Sequence, residues 1–159
     1  MSAPRYIPDA PLPGIPYLPG INEKDPQFQL LPRDSDAHWS QTSGYLHGID
    51  LFNHGCYWEA HEAWEDLWLP LEKEDPVRVF IQGLIQGSAA LLKTRLNQPR
   101  SANSIWSRGK NRLSSVDLQQ PDGTYHGFPV ELFCNAIDAI LKKQDPDFDS
   151  PKMLLKDRS

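Results

Sequence analysis

His61, Glu62 and Glu65 put an imidazole and two carboxylates on little more than one helical turn. Positions 61 and 65 are four apart and share a helix face, the spacing that two ligands of one metal ion need. With a divalent metal on that pair, Glu62 would stand as the general base of a hydrolase. Without a metal, His61 and a neighbouring carboxylate make an acid–base pair facing a small-molecule ligand. Either chemistry asks for more. A mononuclear site takes a third protein ligand, which His47, His54 or His126 would have to supply, and nothing in their spacing brings them there. A dinuclear carboxylate site takes Glu-x-x-His on two helices, whereas this chain has one cluster. Cys56 and Ser88 lack recognisable activating neighbours as nucleophiles.

The element that must hold these groups is a helix over residues 57–71. At about 100° per residue, Leu67, Ala60, Leu71, Trp64, Tyr57 and Trp68 fall in one apolar arc. Glu59 and Asp66 lie nearly opposite and are expected in solvent. His61 and Glu65 sit beside Trp68, and Trp58 and Leu69 continue the apolar surface beyond them, so the pair needs partners: a buried polar group without one costs several kcal/mol.

A helix from about Asp36 to His54 precedes it, with Trp39, Tyr45, Leu46, Ile49 and Phe52 as its stripe and Gly55 as a left-handed stop, making a helical hairpin. His47 and His54 share a face with Asp50, and that face is expected to look at water rather than at His61. Asp75-Pro76 opens a third, central helix to about Asn97. Its Gly83, Gly87 and Ala90 form a close-packing strip, and Gln82, Gln86 and Lys93 share another face. The two amides can serve as solvent-facing residues or as hydrogen-bond partners of His61 and Glu65. A fourth helix follows from roughly Pro99 to Val116 and a fifth from near Pro129 to about Lys143, with no alternating strand pattern between. The fold class is therefore all-α: a bundle of about five helices over residues 37–145.

Residues 1–36 hold eight of the fifteen prolines, at positions 4, 8, 11, 13, 16, 19, 26 and 32. That density forbids helix, yet aromatic and aliphatic residues are interspersed, which reads as an extended arm lying on its own domain or docking on a partner. Residues 146–159 read as a polar, frayed tail, with Met153, Leu154 and Leu155 able to dock.

The net charge of −5 argues against general nucleic-acid binding. Two cysteines without a CxxC spacing read as reduced thiols in a cytoplasm. The start of the chain has no apolar signal core, and the most apolar run, Val77 to Leu92, is too short and too polar for a membrane span. Acids crowd the stretch from Glu59 to Asp75, whereas Arg78, Lys93, Arg95, Arg100, Arg108, Lys110 and Arg112 follow with no acid among them. Such segregation suits complementary faces within the bundle or across a homodimer; an anion pocket is the alternative.

The run Phe52-Asn53-His54-Gly55-Cys56-Tyr57-Trp58-Glu59-Ala60-His61-Glu62-Ala63-Trp64-Glu65 resembles the signature of a family of small, all-helical, mainly prokaryotic proteins catalogued as a domain of unknown function. Gln82-Gly83-Leu84-Ile85-Gln86 with Ala89-Ala90-Leu91 resembles its second motif, and Asn97-Gln98-Pro99-Arg100 with Trp106 its third. Arg5-Tyr6, Pro19-Gly20 and Asp25-Pro26 are similar to an arm of some members, although Asn22-Glu23 stands where a His-Pro pair is expected. The resemblance implies a multihelical bundle and supplies no activity.

Three readings thus stand for the region between the second and third helices. His61, Glu65, Gln82 and Gln86, with Trp58 and Trp64 beside them, are a polar network that fixes helix register, or they line a small-ligand pocket. They serve instead as part of a metal-dependent hydrolase, with His61 and Glu65 as ligands and Glu62 as base. Or the protein is an interaction or dimerisation module. The sequence does not decide whether it is an enzyme.

Overall fold

The chain turns where its sequence carries caps. The computed structural model describes residues 4–32, 38–68, 70–119 and 121–156. Within them lie five α-helices: α1 (Ser43–Asn53), α2 (Tyr57–Trp68), α3 (Pro76–Arg95), α4 (Pro99–Ser114) and α5 (Val130–Lys143), preceded by one 3-10 turn (Trp39–Gln41). The described residues hold no sheet, only the isolated bridges Gln119–Thr124 and Tyr125–Phe128. None of these helices is long and apolar enough to cross a membrane.

α1 begins later than the apolar periodicity suggests. Thr42 is extended, and its hydroxyl accepts from the Tyr45 amide, so the helix starts at its cap rather than near Asp36, which lies outside the described residues. Gly55, at φ +78°, supplies the left-handed turn that reverses the chain into α2. Asp75 caps α3 through the Val77 amide with Pro76 in the first turn, as expected. α2 is described to Trp68; Leu69 is outside the described residues.

α3 is the central helix, packed against α2, α4 and α5. Its glycines mark the close approaches: a Cβ on Gly83 would lie 2.6 Å from Leu113, and one on Gly87 2.5 Å from Phe133. The small-residue strip is thus a packing device that lets α4 and α5 sit tight on α3. Trp64, Tyr57, Tyr45, Phe52, Phe80, Phe128 and Phe133 fill the interior, each burial removing apolar area at about 25 cal/mol per Å².

Residues 4–32 contain no helix or strand and run over α1 and α2 through specific hydrogen bonds. Residues 146–156 are docked rather than frayed. Phe148 and Met153 are buried, and residues 146–156 bind back onto α1, α3 and the Gly127 turn.

Candidate functional site

The polar residues of the α1–α2 hairpin do most of their bonding to the two ends of the chain. Asp50, fully buried on α1, accepts from the Arg5 Nε (3.1 Å), the Tyr6 amide (2.8 Å) and the Ile7 amide (3.0 Å). His47, one turn earlier and also fully buried, donates from Nε2 to the Pro11 carbonyl at 2.9 Å. That bond fixes the tautomer and leaves Nδ1 buried without a partner among the described residues. Burial pushes the His47 imidazole below its ordinary value, against the smaller opposing pull of the Pro11 carbonyl. The expectation that this histidine face looks at water is therefore overturned, because the proline-rich segment lies over it.

Glu59 corrects a second expectation. It is 3 % exposed, not solvated, and its Oε2 accepts from the Tyr17 amide at 3.1 Å. Desolvation, only partly offset by backbone hydrogen bonds, raises its carboxyl above the usual range. Asn53 clamps the other end: its side chain donates to the Met153 carbonyl and accepts from the Met153 amide. Tyr57 donates its hydroxyl to Ser150, and Arg95 holds the Pro146 and Phe148 carbonyls with its guanidinium over the Phe148 ring. His54 donates from Nδ1 to the Asp50 carbonyl inside its own helix.

The His61–Glu65 pair is formed. His61 Nε2 lies 2.8 Å from Glu65 Oε2, with the side chains 26 % and 45 % exposed, so solvent reaches both. A contact this accessible contributes at most about 1 kcal/mol. Trp58 stands edge-on to His61 and, on its other side, edge-on to Tyr17. Lys24 covers both rings at 5.2 and 5.5 Å and approaches Glu62 at 3.9 Å. Trp64 is a core residue whose indole donates to the Tyr45 carbonyl at 3.2 Å. Gln82 and Gln86 make no hydrogen bond to His61 or Glu65; Gln86 turns toward α4, where its Cβ abuts Gly109 and its Oε1 is buried without a partner among the described residues.

For metal chemistry the geometry supplies two ligands and no third. His47 and His54 are engaged with backbone carbonyls, and His126 lies among Trp39, Tyr125 and His38. Among the described residues no three His, Cys, Asp or Glu side chains gather as a metal set. For covalent chemistry, burial pushes the Cys56 thiol up to about 12 and that of Cys134 to about 11, the opposite of an activated nucleophile.

What the arrangement does present is a three-helix face. Ser88 bonds the Tyr57 carbonyl, and Arg78 stacks on Trp68 at 4.2 Å, which marks the α2 side of α3. Gly83 and Gln86 mark the α4 side. Between these sides lies a half-exposed stripe of α3, with Gln82, Ile85, Ala89 and Lys93. On the flanking helices, His61 and Glu65 of α2 are part-exposed, as are Ile105 and Arg112 of α4, and Arg108 is exposed.

Sequence reasoning missed Arg5, Asp50, Asn53 and Glu59 as anchoring residues. One signal was available. Leu46, Ile49, Asp50 and Asn53 follow helical spacing on one stripe, and two polar groups inside an apolar stripe require partners.

No curated protein and no solved structure gives a significant match to this chain. Over residues 45–105, from α1 into the first half of α4, the chain matches the family described as "Domain of unknown function (DUF309)".

Proposed function

We propose that the protein is a non-catalytic binding module that acts as a homodimer through the α2–α3–α4 face. In this reading His61, Glu65 and Gln82 are contact residues, Gln86 braces α3 on α4, Trp58 stiffens the α2 rim and Trp64 anchors it to the core. The single observation that carries it is the segregation of charge about α3. Glu65 lies on one rim, and Arg108 and Arg112 lie on the other with no ion-pair partner among the described residues.

Antiparallel packing sets the heights. Tyr57 is level with Ser88 and Trp68 with Arg78, while Gly109 is level with Gln86. Glu65 therefore stands about as far along α3 as Arg112. A two-fold axis parallel to α3 lays the α2 rim of one copy on the α4 rim of the other, so Glu65 meets the second copy's Arg112 while α3 packs on α3. A two-fold perpendicular to α3 would instead oppose acid with acid and base with base. Complementary rims of this kind select register and partner more than they add raw affinity.

The catalytic alternatives draw less support, since the thiols are deactivated by burial. A metal on His61 and Glu65, with Glu62 as base, would need a ligand from outside this chain's described residues. The two free cysteines fit a cytoplasmic setting, and the acidic net charge fits a module without nucleic-acid partners.

Sedimentation equilibrium tests the proposal. The wild type should sediment at twice its 18.1 kDa mass at a concentration of about 100 μM. Glu65→Arg and Arg112→Glu should each give monomer, and the double exchange should restore the dimer. A monomeric wild type, or a double exchange that stays monomeric, would refute it.

A further inference from the structure

A concave site lies at the start of α3. It is bounded by Glu74, Pro76 and Val79 at the start of α3, by Ser115, Val116 and Asp117 after α4, and by Tyr125 and His126. Its volume is about 590 Å³, inside the range of about 300–1,000 Å³ typical of small-molecule sites. Nothing in the proposed dimer uses it.

The walls are chemically divided. Pro76, Val79 and Val116 give an apolar floor, whereas Glu74 and Asp117 bring two carboxylates with no hydrogen bond or ion pair among the described residues. Among the described residues no Lys or Arg lines the cleft. The Tyr125 hydroxyl is likewise without a hydrogen-bond partner among the described residues. α4 ends here, so its last carbonyls turn the negative end of the helix dipole toward the space. The positive end of α3 is already capped by Asp75, whose carboxylate accepts from the Val77 amide at 2.9 Å. Burial, then the charges of Asp75 and Asp117, raise the Tyr125 phenol, as a negative local field requires.

The Tyr125 wall is braced by its neighbours. Tyr125 and Phe128 exchange both backbone hydrogen bonds at 2.9 Å across a two-residue turn, with His126 at φ +47° and Gly127 at φ +83°. Those signs are the ones a tight hairpin turn demands. Phe80 packs on the Tyr125 ring at 4.8 Å and Trp39 lies against it at 6.1 Å. The hydroxyl is thus held at the cleft by the core before any ligand arrives.

We propose that this cleft binds a small primary ammonium compound, its charge taken by Glu74 and Asp117 and its aliphatic stem laid on Pro76, Val79 and Val116. The ammonium N–H groups donate to the two carboxylates and to the Tyr125 hydroxyl. A carboxylate or phosphate ligand would meet the unpaired negative charge of Glu74 and Asp117, and a neutral alcohol would leave both carboxylates uncompensated.

The test is an amide-resolved NMR titration of the full chain with n-butylammonium, run in parallel with n-butanol and butyrate. Saturable shifts should appear at Asp117 and at Tyr125 to Gly127, with a dissociation constant of about 1 mM. The alcohol and the carboxylate should give no saturable shift there. Glu74→Gln and Asp117→Asn, both on exposed side chains whose loss leaves packing intact, should each weaken binding about tenfold. The proposal is overturned by no saturable shift in the wild type, by unchanged affinity in both variants, or by shifts of equal size along acidic α2, which would mean screening rather than a site.

Discussion

Replacing Asp50 by Asn probes the connection that organises the hairpin. The carboxylate is fully buried and receives three donors, the Arg5 guanidinium and the Tyr6 and Ile7 amides. An amide of the same shape offers one acceptor oxygen and turns an NH2 group toward at least one of those donors. Leaving a buried donor unsatisfied costs about 1–3 kcal/mol, and removing one partner of a buried ion pair costs about 3–5 kcal/mol. The loss has a ceiling, because residues 5–18 can lift away and rehydrate their amides. Release would then uncover His47 and Glu59, and their burial with the Pro11 carbonyl and the Tyr17 amide would be forfeited too. Asp50→Asn should therefore lower stability by about 3–4 kcal/mol, or roughly 10 °C in Tm for a domain of this size. Urea denaturation would measure the first figure. Amide exchange at Tyr6 and Ile7 should accelerate more than exchange in α3, which reports local lifting before global unfolding. Arg5→Ala added to the Asp50→Asn variant should cost much less than Arg5→Ala alone, since the two share one interaction. A loss below about 1 kcal/mol, with Tyr6 and Ile7 exchange unchanged, would refute the view that Asp50 holds this segment.

Two further outcomes follow from buried contacts. In Gly48→Ala the new Cβ would collide with the Trp64 indole, which Tyr45 already fixes; overpacking of about 1–3 kcal/mol plus the strained hydrogen bond should outweigh the roughly 1 kcal/mol gained in helix propensity, and a urea midpoint at or above wild type would show that the indole lies elsewhere. Burial keeps His47 neutral in the fold, so the unfolded chain takes up a proton that the folded one does not; stability should fall as pH drops below the ordinary 6.5, at up to about 1.4 kcal/mol per pH unit. Glu59 acts in the opposite sense at lower pH, because its raised carboxyl gains stability on protonation, so the contribution of His47 is read as wild type minus His47→Gln between pH 7 and 5.5, and parallel curves would contradict it.

The core of α2 was legible because its burial is periodic. Tyr57, Ala60 and Trp64 recur at helical spacing, and Asp75-Pro76 and Gly55 punctuate the chain by their own backbone preferences. Glu59 and the His47–Asp50 face were not legible for a shared reason. What buries them is the backbone of a segment about forty residues away in sequence, with no periodicity of its own and prolines that hide its bonding pattern. A helical wheel assigns a carboxylate opposite the core to water unless something else covers it. The same limit affected residues 146–156, whose polar composition reads as frayed while Asn53 supplies their docking point. The His61–Glu65 contact was legible from spacing alone, but its exposure depends on how α2 tilts on α3, which residue types do not encode.

The Tyr6 hydroxyl accepts from the Leu155 amide at 2.8 Å, so opposite ends of the described chain meet over the α1–α2 turn. During vectorial synthesis on a ribosome, residues 5–7 emerge well before Asp50, and more than a hundred residues before Leu155. Helices α1 to α4 pair largely with sequence neighbours and can form as they emerge. The segment made first finds its main anchors, Asp50, His47 and Glu59, only once α1 and α2 have followed it out. Its bond to Leu155 closes only when the far end of the chain arrives, so the earliest residues made carry one of the latest contacts fixed.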